Sequence, residues 1–305
     1  MKKKFLDQLI LSCKSETKDG HVAKYIPQLA TANPEALGIC IRNSHGLICA
    51  GDANKKFTIQ SISKPLMLLL ALIEHGEENV FNKVGKEASG DPFNSIIRLE
   101  TYEEQKPYNP MINAGAIAIS ALMKKNKTTD PFDKFLSFLK KLAHNPNITM
   151  NKDVYASEKE TGHRNRSIAH FLKEIGNIES DPEAVLDLYF KQCSIEMTCL
   201  DLANISMVLA LDGKSYETME QLVPLRYTQI AKAYMMTCGM YDGSGEFAID
   251  IGLPAKSGVG GGIMATSKGK MGIGIYGPSL NNKGNSIAGV KLLETFSKKY
   301  NLSVL

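Results

Sequence analysis

The stretch Phe57-Thr-Ile-Gln-Ser-Ile-Ser-Lys-Pro-Leu-Met-Leu-Leu-Leu-Ala-Leu-Ile-Glu-His-Gly76 decides the fold, because a short strand runs directly into a helix that has no polar face. Every residue from Leu66 to Ile73 is apolar, and a helix of that composition is normally buried at the centre of its domain. Pro65 fits the first helical turn, and Gly76 is a natural place for the helix to stop. The stretch therefore predicts a buried central helix that begins near Ser61.

Ser61 and Lys64 lie three residues apart at the start of this helix, so their side chains share one face. Burial and the positive end of the helix dipole both lower the pKa of an ammonium held there, which lets Lys64 act as a base toward the Ser61 hydroxyl. The backbone N–H groups of the same helix start are suited to binding an oxyanion. The pair predicts a nucleophilic serine; the alternative is a serine that only caps the helix.

The Ser-x-x-Lys spacing alone is a weak signal, because it occurs at three further places in polar or glycine-bounded surroundings: Ser15/Lys18, Ser137/Lys140 and Ser267/Lys270. Those pairs have no buried helix behind them, and we interpret them as solvated surface. Context, and not spacing, therefore selects Ser61 and Lys64.

Length and charge favour one compact domain over residues 1–305, since the 305-residue chain has no repeat and no Pro/Ser-rich linker. Lys and Arg number 36 against 32 Asp and Glu, without a basic stripe, so we expect no nucleic-acid partner. The start of the chain resembles a signal peptide, but Asp7 and Gln8 interrupt it, and helical spacing of its apolar residues predicts an amphipathic first helix. No stretch is long enough to span a membrane, so we expect a cytoplasmic protein without a membrane partner.

The six cysteines form no C-x-x-C pair and sit mostly among apolar neighbours, a pattern that favours buried free thiols over disulfides or a zinc site. The six histidines show no H-E-x-x-H motif or clustered spacing. We therefore expect no structural metal.

The order of predicted elements indicates the fold class. Residues 37–42 and 47–51 read as two strands joined by the tight turn Asn43-Ser-His-Gly46. The middle of the chain is helical, and a further helix is expected at residues 286–300; strands return at three places, 247–251, 262–266 and 271–276. Predicted helices in the middle cover residues 114–123, 132–142, 167–175, 182–190 and 200–211, and turn clusters include Ser89-Gly-Asp-Pro-Phe-Asn94.

These elements predict an α+β fold in which helices flank an antiparallel sheet built from both chain ends. The sheet-containing lobe takes about residues 1–80 and 240–305, and an inserted helical lobe takes about residues 81–239.

Lys256-Ser-Gly-Val-Gly-Gly-Gly262 is the only Lys-[Ser/Thr]-Gly sequence in the chain, and we expect it to open one of the returning strands. Together with Ser61-x-x-Lys64 it reproduces two of the three boxes of serine β-lactamases and penicillin-binding proteins, in the same order. Glycines on both sides of Val259 let a substrate approach the backbone, so the Val259 N–H is a candidate second oxyanion donor beside that of Ser61. The alternative is a glycine-rich bend in an edge strand. The middle Ser-Asp-Asn box is missing at a matching place.

Several longer motifs resemble the glutaminase family of β-lactamase-like serine amidohydrolases, and together they cover nearly the whole chain. They are Lys24-Tyr-Ile-Pro-Gln-Leu29, Ile59-Gln-Ser-Ile-Ser-Lys-Pro65, Asn109-Pro-Met-Ile-Asn-Ala-Gly-Ala-Ile117, Ser157-Glu-Lys-Glu-Thr-Gly-His-Arg-Asn165, Asp187-Leu-Tyr-Phe-Lys-Gln-Cys-Ser-Ile195, Cys238-Gly-Met-Tyr-Asp-Gly-Ser-Gly245 and Gly252-Leu-Pro-Ala-Lys-Ser-Gly-Val259. Without terminal extensions or a repeat array, the sequence is most similar to the short bacterial form of the family.

The resemblance implies a β-lactamase/penicillin-binding-protein-like fold that hydrolyses L-glutamine to L-glutamate and ammonia without a metal or organic cofactor. It implies that Ser61 is the nucleophile, Lys64 its activating partner and Tyr241 a proton shuttle to the leaving ammonia, with Val259 supplying an oxyanion donor. Which of Lys64 and Tyr241 is the primary base stays open. A homo-oligomer, dimer or tetramer, is also implied.

An amino-acid substrate needs partners for its two charges, because buried charges must be paired. The resemblance makes Glu158 the candidate partner of the substrate ammonium. Neutral partners for the carboxylate and amide are Tyr25, Gln60, Asn113, Asn165 and Tyr189, and Lys256 and Ser257 are supporting residues. Taken singly, each also fits an ordinary structural role: a solvated charge, a turn or cap residue, or a core aromatic.

Two other functions fit parts of the pattern. The same fold with a β-lactam or a peptidoglycan peptide as substrate is disfavoured by the missing signal peptide and the missing Ser-Asp-Asn box. A non-catalytic sensor that binds an amino acid or a cell-wall fragment in the same pocket is the second alternative.

Overall fold

A computed structural model describes residues 3–88, 94–95, 106–124 and 129–305. Its helices are α1 Lys3–Cys13, α2 Ser63–Lys83, α3 Asn113–Met123, α4 Pro131–Ala143, α5 Lys152–Thr161, α6 His163–Glu174, α7 Pro182–Cys193, α8 Cys199–Ala210, α9 Leu225–Cys238, α10 Ser244–Asp250 and α11 Ile287–Tyr300. The strands are β1 Gly38–Asn43, β2 Gly46–Gly51, β3 Phe57–Thr58, β4 Thr149–Met150, β5 Ile195–Met197, β6 Ala255–Ser257, β7 Gly262–Ser267 and β8 Met271–Tyr276. Short 3-10 turns precede α2 and α10, at Gln60–Ile62 and Tyr241–Gly243.

Helix α2 is the buried central helix that the sequence predicts. All residues from Leu66 to Leu72 are buried, and α2 packs against α3 and α9. Gly76 has a non-helical backbone (φ 75°, ψ 167°) that interrupts the helix. The predicted stop is therefore a kink, after which a second helical stretch continues to Lys83.

The main sheet is antiparallel and, within the described residues, has the strand order β2-β1-β8-β7-β6. Strands β1 and β2 come from the first part of the chain and β6 to β8 from the last part, which confirms the predicted α+β fold with a sheet built from both chain ends. One face of the sheet shares an apolar core with α1 and α11, and α8 covers the other face. Gly272 and Gly274 allow this close approach, because a Cβ at either position would lie 2.2 Å from the α8 backbone.

The helices α3 to α9 lie between these two parts of the chain, as the predicted helical insertion requires. The five predicted middle helices correspond to α3, α4, α6, α7 and α8, while α5 and α9 were not individually predicted. A small sheet of order β3-β5-β4 joins the strand before Ser61 to this region. The predicted turn at residues 89–94 lies outside the described residues except for Asn94.

Two local predictions are wrong. The segment Phe247–Ile251, predicted as a strand, belongs largely to α10. Phe247 and Ile251 are four residues apart and enter the same core, whereas Ile249 between them is 85% exposed, so the apolar spacing follows a helix. Lys256 and Ser257 form the separate strand β6 and do not open β7.

The expectation of free thiols is wrong for Cys40 and Cys49, which form a disulfide across the β1–β2 hairpin. The two residues are register partners in the antiparallel pair, with Cα atoms 4.1 Å apart. The other four cysteines are free, and three of them are buried: Cys13, Cys193 and Cys199. Among the described helices, none is both long enough and apolar enough to cross a membrane.

Candidate active site

Ser61 lies in the 3-10 turn Gln60–Ile62, where β3 ends and α2 begins. The turn is fixed to the small sheet, since the Ile59 N–H donates to the Ile195 carbonyl at 2.9 Å. Gln60 has a left-handed backbone (φ 49°), which is uncommon for a residue other than glycine and is often found at functional sites. This sharp entry into α2 presents Ser61, still 8% exposed, to a cavity.

Lys64 is buried one helical turn after Ser61, with 2% of its surface exposed. Its Nζ donates to the Asn113 Oδ1 at 2.7 Å and to the Met111 carbonyl at 3.0 Å. Burial lowers the pKa of Lys64 to about 8, and the charge of Glu158 opposes that shift. A lysine with this pKa is partly neutral near physiological pH, which general-base chemistry requires.

Asn113 links Lys64 to the cavity wall. It begins α3, and its Nδ2 donates to the Asn165 Oδ1 at 2.9 Å while its Oδ1 accepts from Lys64. The turn before α3 is held by Asn109, whose Oδ1 accepts from the N–H groups of Met111 and Ile112. A polar chain thus runs from Lys64 through Asn113 to Asn165.

The glycine-rich loop after β6 lies flat against the segment that carries Ser61. A Cβ at Gly258 would lie 2.4 Å from the Ile59 carbonyl, and one at Gly260 would lie 2.4 Å from the Thr58 carbonyl. Gly261 also has a left-handed backbone (φ 94°). These constraints explain why glycines flank Val259, which faces the same cavity as Ser61.

Tyr241 stands at the start of a 3-10 turn and is buried in an apolar cluster with Val259. Its backbone is left-handed (φ 53°), like that of Gln60. Burial raises the pKa of Tyr241, while hydrogen bonds with the Ser61 side chain and the Val259 backbone oppose the rise. Tyr241 therefore lies next to the two segments that carry Ser61 and Val259.

Lys256 packs next to Tyr241, and neither Lys256 nor its neighbour Ser257 lines the described cavity. The Lys256 Nζ lies 4.2 Å from the centre of the Tyr241 ring and donates to the carbonyls of Gly239 at 2.9 Å and Ser257 at 2.6 Å. Burial and the charge of Lys64 lower the pKa of Lys256 well below its usual value. Ser257 is fully buried, and neither residue is among the described residues that line the cavity.

The cavity has a volume of about 300 Å³ and brings together eight of the predicted site residues. These are Tyr25, Gln60, Ser61, Asn113, Glu158, Asn165, Tyr189 and Val259. Tyr25 is 56% exposed, whereas Tyr189 is 4% exposed. The predicted residues thus come from both parts of the chain, the sheet-forming ends and the helices between them.

Glu158 is buried in the cavity on α5. Burial raises the pKa of Glu158 to about 7, and a hydrogen bond with Gln60 and the charge of Lys64 oppose this rise. A carboxylate in such a place gains from a cationic partner, because a buried charge is costly when it is unpaired.

Comparison with known proteins identifies the family. The family model described as Glutaminase matches residues 20–305. The chain belongs to the glutaminase family. A glutaminase from Clostridium tetani is 53% identical over 300 residues, which cover 98% of this chain and 98% of that protein.

Two solved structures agree with this assignment. A Bacillus glutaminase solved in the presence of 4.3 M NaCl has a TM-score of 0.92 and 38% identity, over 99% of each chain. A probable glutaminase from Bacillus subtilis, complexed with 6-diazo-5-oxo-L-norleucine, has a TM-score of 0.89 and 36% identity, over 100% of this chain and 97% of that one. The fold is therefore the predicted β-lactamase-like fold of the glutaminases.

Membership of this family makes the protein an amidohydrolase that converts L-glutamine to L-glutamate and ammonia. This result replaces both alternatives considered from the sequence, the β-lactam enzyme and the non-catalytic sensor.

The cavity of this glutaminase also contains residues that the sequence analysis missed: Asn94, Thr161, Gly162, Arg164 and Cys193. Four of them lie in or beside the quoted motifs around Glu158 and Tyr189, and that proximity was the available signal. The Arg164 Nε donates to the Asn94 carbonyl at 3.0 Å, which brings a cationic side chain to the cavity wall. Burial raises the pKa of Cys193 to about 12, so its thiol stays neutral.

Proposed function

We propose that glutamine hydrolysis in this protein proceeds through a covalent γ-glutamyl ester on Ser61. The observation that carries the proposal is the position of Lys64 and Tyr241 beside Ser61, which lines the cavity. Ser61 lines the cavity, the side chain of the buried Tyr241 lies close enough to Ser61 to interact with it, and the buried Lys64 follows Ser61 by one helical turn with a pKa of about 8. Activated serine nucleophiles need an adjacent base of this kind.

Acylation begins when neutral Lys64 takes the proton of the Ser61 hydroxyl and the Ser61 Oγ attacks the side-chain amide carbon of glutamine. The tetrahedral intermediate collapses with cleavage of the C–N bond. Tyr241 donates its proton to the leaving nitrogen and regains one from Lys64, so that ammonia departs and the base is neutral again. The assignment of Lys64 as base and Tyr241 as shuttle is part of the proposal.

Deacylation uses the same groups in the opposite order. A water molecule attacks the ester carbon and gives up a proton to the base. The bond between that carbon and the Ser61 Oγ then breaks, and the base returns a proton to the serine. Glutamate leaves with its γ-carboxylate formed from the amide carbon, the original amide oxygen and the water oxygen. No redox step and no further reactant is needed.

The oxyanion of both intermediates is stabilised by the backbone N–H groups of Ser61 and Val259. Two features support this part of the proposal. Both residues line the same cavity, and the close packing of the glycine loop against residues 58–59 fixes their separation. Preorganised backbone donors of this type are worth about 3–4 kcal/mol each in an enzyme that depends on them.

The remaining residues of the cavity bind the α-ammonium and α-carboxylate groups of glutamine and its side-chain amide. Glu158 binds the α-ammonium group of the substrate. The bound ammonium favours the ionised form of Glu158, because an adjacent cation lowers the pKa of a carboxyl group. Neutral hydrogen bonds to the carboxylate and amide come from Tyr25, Gln60, Asn113, Asn165 and Tyr189. Arg164 adds a positive charge on the cavity wall, which favours an anionic carboxylate.

Ammonia release from L-glutamine by the purified protein tests the proposal, with Ser61→Ala as the inactive variant. Ser137→Ala is the matched control, because Ser137 begins another Ser-x-x-Lys pair on the exposed face of α4. We expect turnover to fall by at least about 1,000-fold in Ser61→Ala and to be unchanged in Ser137→Ala. Near-wild-type turnover in folded Ser61→Ala would exclude Ser61 as the nucleophile.

A further inference from the structure

We propose that Asn285 is a positioning residue that holds Tyr241 against Ser61 through the carbonyl of Met240. The inference rests on the catalytic role proposed for Tyr241 and extends it to a loop outside the cavity. Asn285 belongs to the loop Asn281–Asn285 before α11, which the sequence analysis did not single out.

The turn that carries Tyr241 needs support, because a left-handed backbone is unfavourable for a tyrosine. Bonds within the turn supply part of it: the Met240 N–H donates to the Ser244 Oγ at 3.0 Å, and that hydroxyl donates to the Tyr241 carbonyl at 2.8 Å. The Gly243 N–H donates to the Met240 carbonyl at 3.0 Å. Asn285 reaches the same carbonyl from a distant part of the chain, with Nδ2 3.0 Å from the Met240 oxygen.

The loop that presents Asn285 is itself well fixed. The Asn281 Oδ1 accepts from the N–H groups of Lys283 at 3.0 Å and Asn285 at 3.1 Å, and the Asn281 N–H donates to the Asn285 carbonyl at 2.8 Å. Asn285 therefore starts from a rigid backbone and holds Met240 in one place.

The same loop lies against the Tyr241 ring and Val259. At Gly284, a Cβ would be 3.6 Å from the Tyr241 Cε2 and 3.7 Å from the Val259 Cγ1. On the other side of Asn285, a Cβ at Gly243 would come within 3.2 Å of the Asn285 Nδ2. Glycine at position 243 lets the Tyr241 turn pack closely against Asn285, and the loop is in contact distance of the Tyr241 ring at Gly284, so a shift of one segment moves the other.

Burying the side-chain amide of Asn285 lowers the stability of the fold, which indicates that this amide serves the site and not stability. The residue is 3% exposed, and its Oδ1 has no hydrogen-bond partner among the described residues. An unsatisfied buried acceptor costs about 1–3 kcal/mol, which an apolar side chain of similar size would avoid. What an apolar side chain lacks is the N–H donor to Met240.

A double-mutant cycle tests the inference, using Asn285→Leu, Tyr241→Phe and the variant with both changes. Leucine has nearly the shape of asparagine and removes both the donor and the unsatisfied acceptor. We expect Asn285→Leu to lower kcat for glutamine by about tenfold or more, with a KM within about threefold of wild type and an unchanged melting temperature. In the Tyr241→Phe background, the same substitution should lower kcat by less than about twofold, because the hydroxyl that it displaces is already gone.

Asn147→Leu is the matched control, since Asn147 is exposed in the loop before β4, and it should leave both kinetic constants unchanged. The inference is overturned if Asn285→Leu retains wild-type kcat, if its losses multiply with those of Tyr241→Phe, or if activity falls only in step with the folded fraction. Wild-type turnover in Tyr241→Phe would contradict the proposed role of Tyr241 and this inference together. Loss of turnover in Tyr241→Phe alone, with Asn285→Leu fully active, would contradict this inference only.

Discussion

Lys64 and Glu158 are two buried groups of opposite charge, and the pKa values of both are shifted toward 7. Burial lowers the pKa of Lys64 to about 8 and raises the pKa of Glu158 to about 7. Each charge also favours the other, although desolvation is the larger effect at both sites. In the proposed mechanism a neutral Lys64 accepts a proton, while an ionised Glu158 binds an ammonium group.

The first prediction concerns pH. As the pH falls through about 8, Lys64 gains a proton and is lost as a base; as it falls through about 7, Glu158 is neutralised and loses its attraction for the substrate ammonium. Both effects have the same sign, so kcat/KM for glutamine should fall as the pH is lowered, more steeply below the second value. A pH–rate profile of the purified enzyme measures this. Constant kcat/KM across both pKa values would contradict the assignment.

The second prediction separates binding from chemistry at Glu158. The substitution Glu158→Gln keeps the size of the side chain but removes its charge, so it should raise the KM for the substrate by about tenfold or more. The effect on kcat should be smaller, because Glu158 is not assigned a role at the reacting carbon. Steady-state kinetics on both proteins provide the comparison. An unchanged KM would remove Glu158 from the ammonium site.

At the scale of elements, the site depends on the contact between two segments that are distant in sequence. One is the turn that carries Ser61, and the other is the glycine loop that carries Val259. Gly258 and Gly260 allow the loop to touch the carbonyls of Ile59 and Thr58, where any larger residue would collide. The proposed oxyanion site exists only while this contact is kept.

The third prediction disturbs that contact. Gly260→Ala would place a Cβ 2.4 Å from the Thr58 carbonyl, so the loop must move away from the Ser61 turn. We expect kcat to fall by about tenfold or more. Gly245→Ala is the matched control, because Gly245 lies in α10 and the added Cβ would have no atom within 4 Å apart from its chain neighbours and the backbone of its own helix. Equal activity in the two variants would show that the loop position does not matter for turnover.

The helices and the sheet were largely predictable, because their apolar residues recur at a regular spacing. The failure at residues 247–251 has a physical cause: Phe247, Ile249 and Ile251 alternate as in a strand, yet only two of them are buried. Periodicity over five residues cannot separate the two interpretations, since burial is decided by neighbours that are distant in sequence.

The candidate site was predictable wherever a motif carried it, as at Ser61 and Lys64. Arg164 and Cys193 were missed because nothing in their own chemistry distinguishes them from surface and core residues; only the fold brings them to the cavity. Asn285 was missed for the same reason, as its bond to Met240 spans 45 residues.

On the scale of the whole molecule, the hairpin β1–β2 carries a constraint that the sequence analysis overlooked. The predicted turn Asn43–Gly46 fixes a register in which Cys40 and Cys49 face each other. The disulfide could therefore have been predicted from the hairpin itself. Disulfides persist mainly in oxidising compartments, so this pair and the predicted cytoplasmic location point in opposite directions. The location, the single-domain assignment and the homo-oligomer, dimer or tetramer, stay predictions.

The fourth prediction concerns this disulfide. The cysteines lie nine positions apart in the sequence, and closing a loop of that size stabilises a protein by about 2–3 kcal/mol when the effect on the unfolded chain dominates. Cys49→Ser should lower the free energy of unfolding by about that amount and leave glutamine turnover unchanged, because neither cysteine lines the described cavity. Denaturant unfolding under oxidising conditions measures the difference, with Cys238→Ser, a free and half-buried thiol, as control. Equal stability of wild type and Cys49→Ser would contradict the disulfide.

The central claim is the ester on Ser61, and the most direct measurement is mass spectrometry of the enzyme quenched in acid within milliseconds of mixing with excess L-glutamine. Our account predicts a protein heavier by one γ-glutamyl group, with the added mass on the peptide that contains Ser61 and absent from Ser61→Ala. The adduct should disappear once glutamine is exhausted, because water then completes the reaction. Rapid ammonia release without any adduct on Ser61, or an adduct on another residue, would contradict the account.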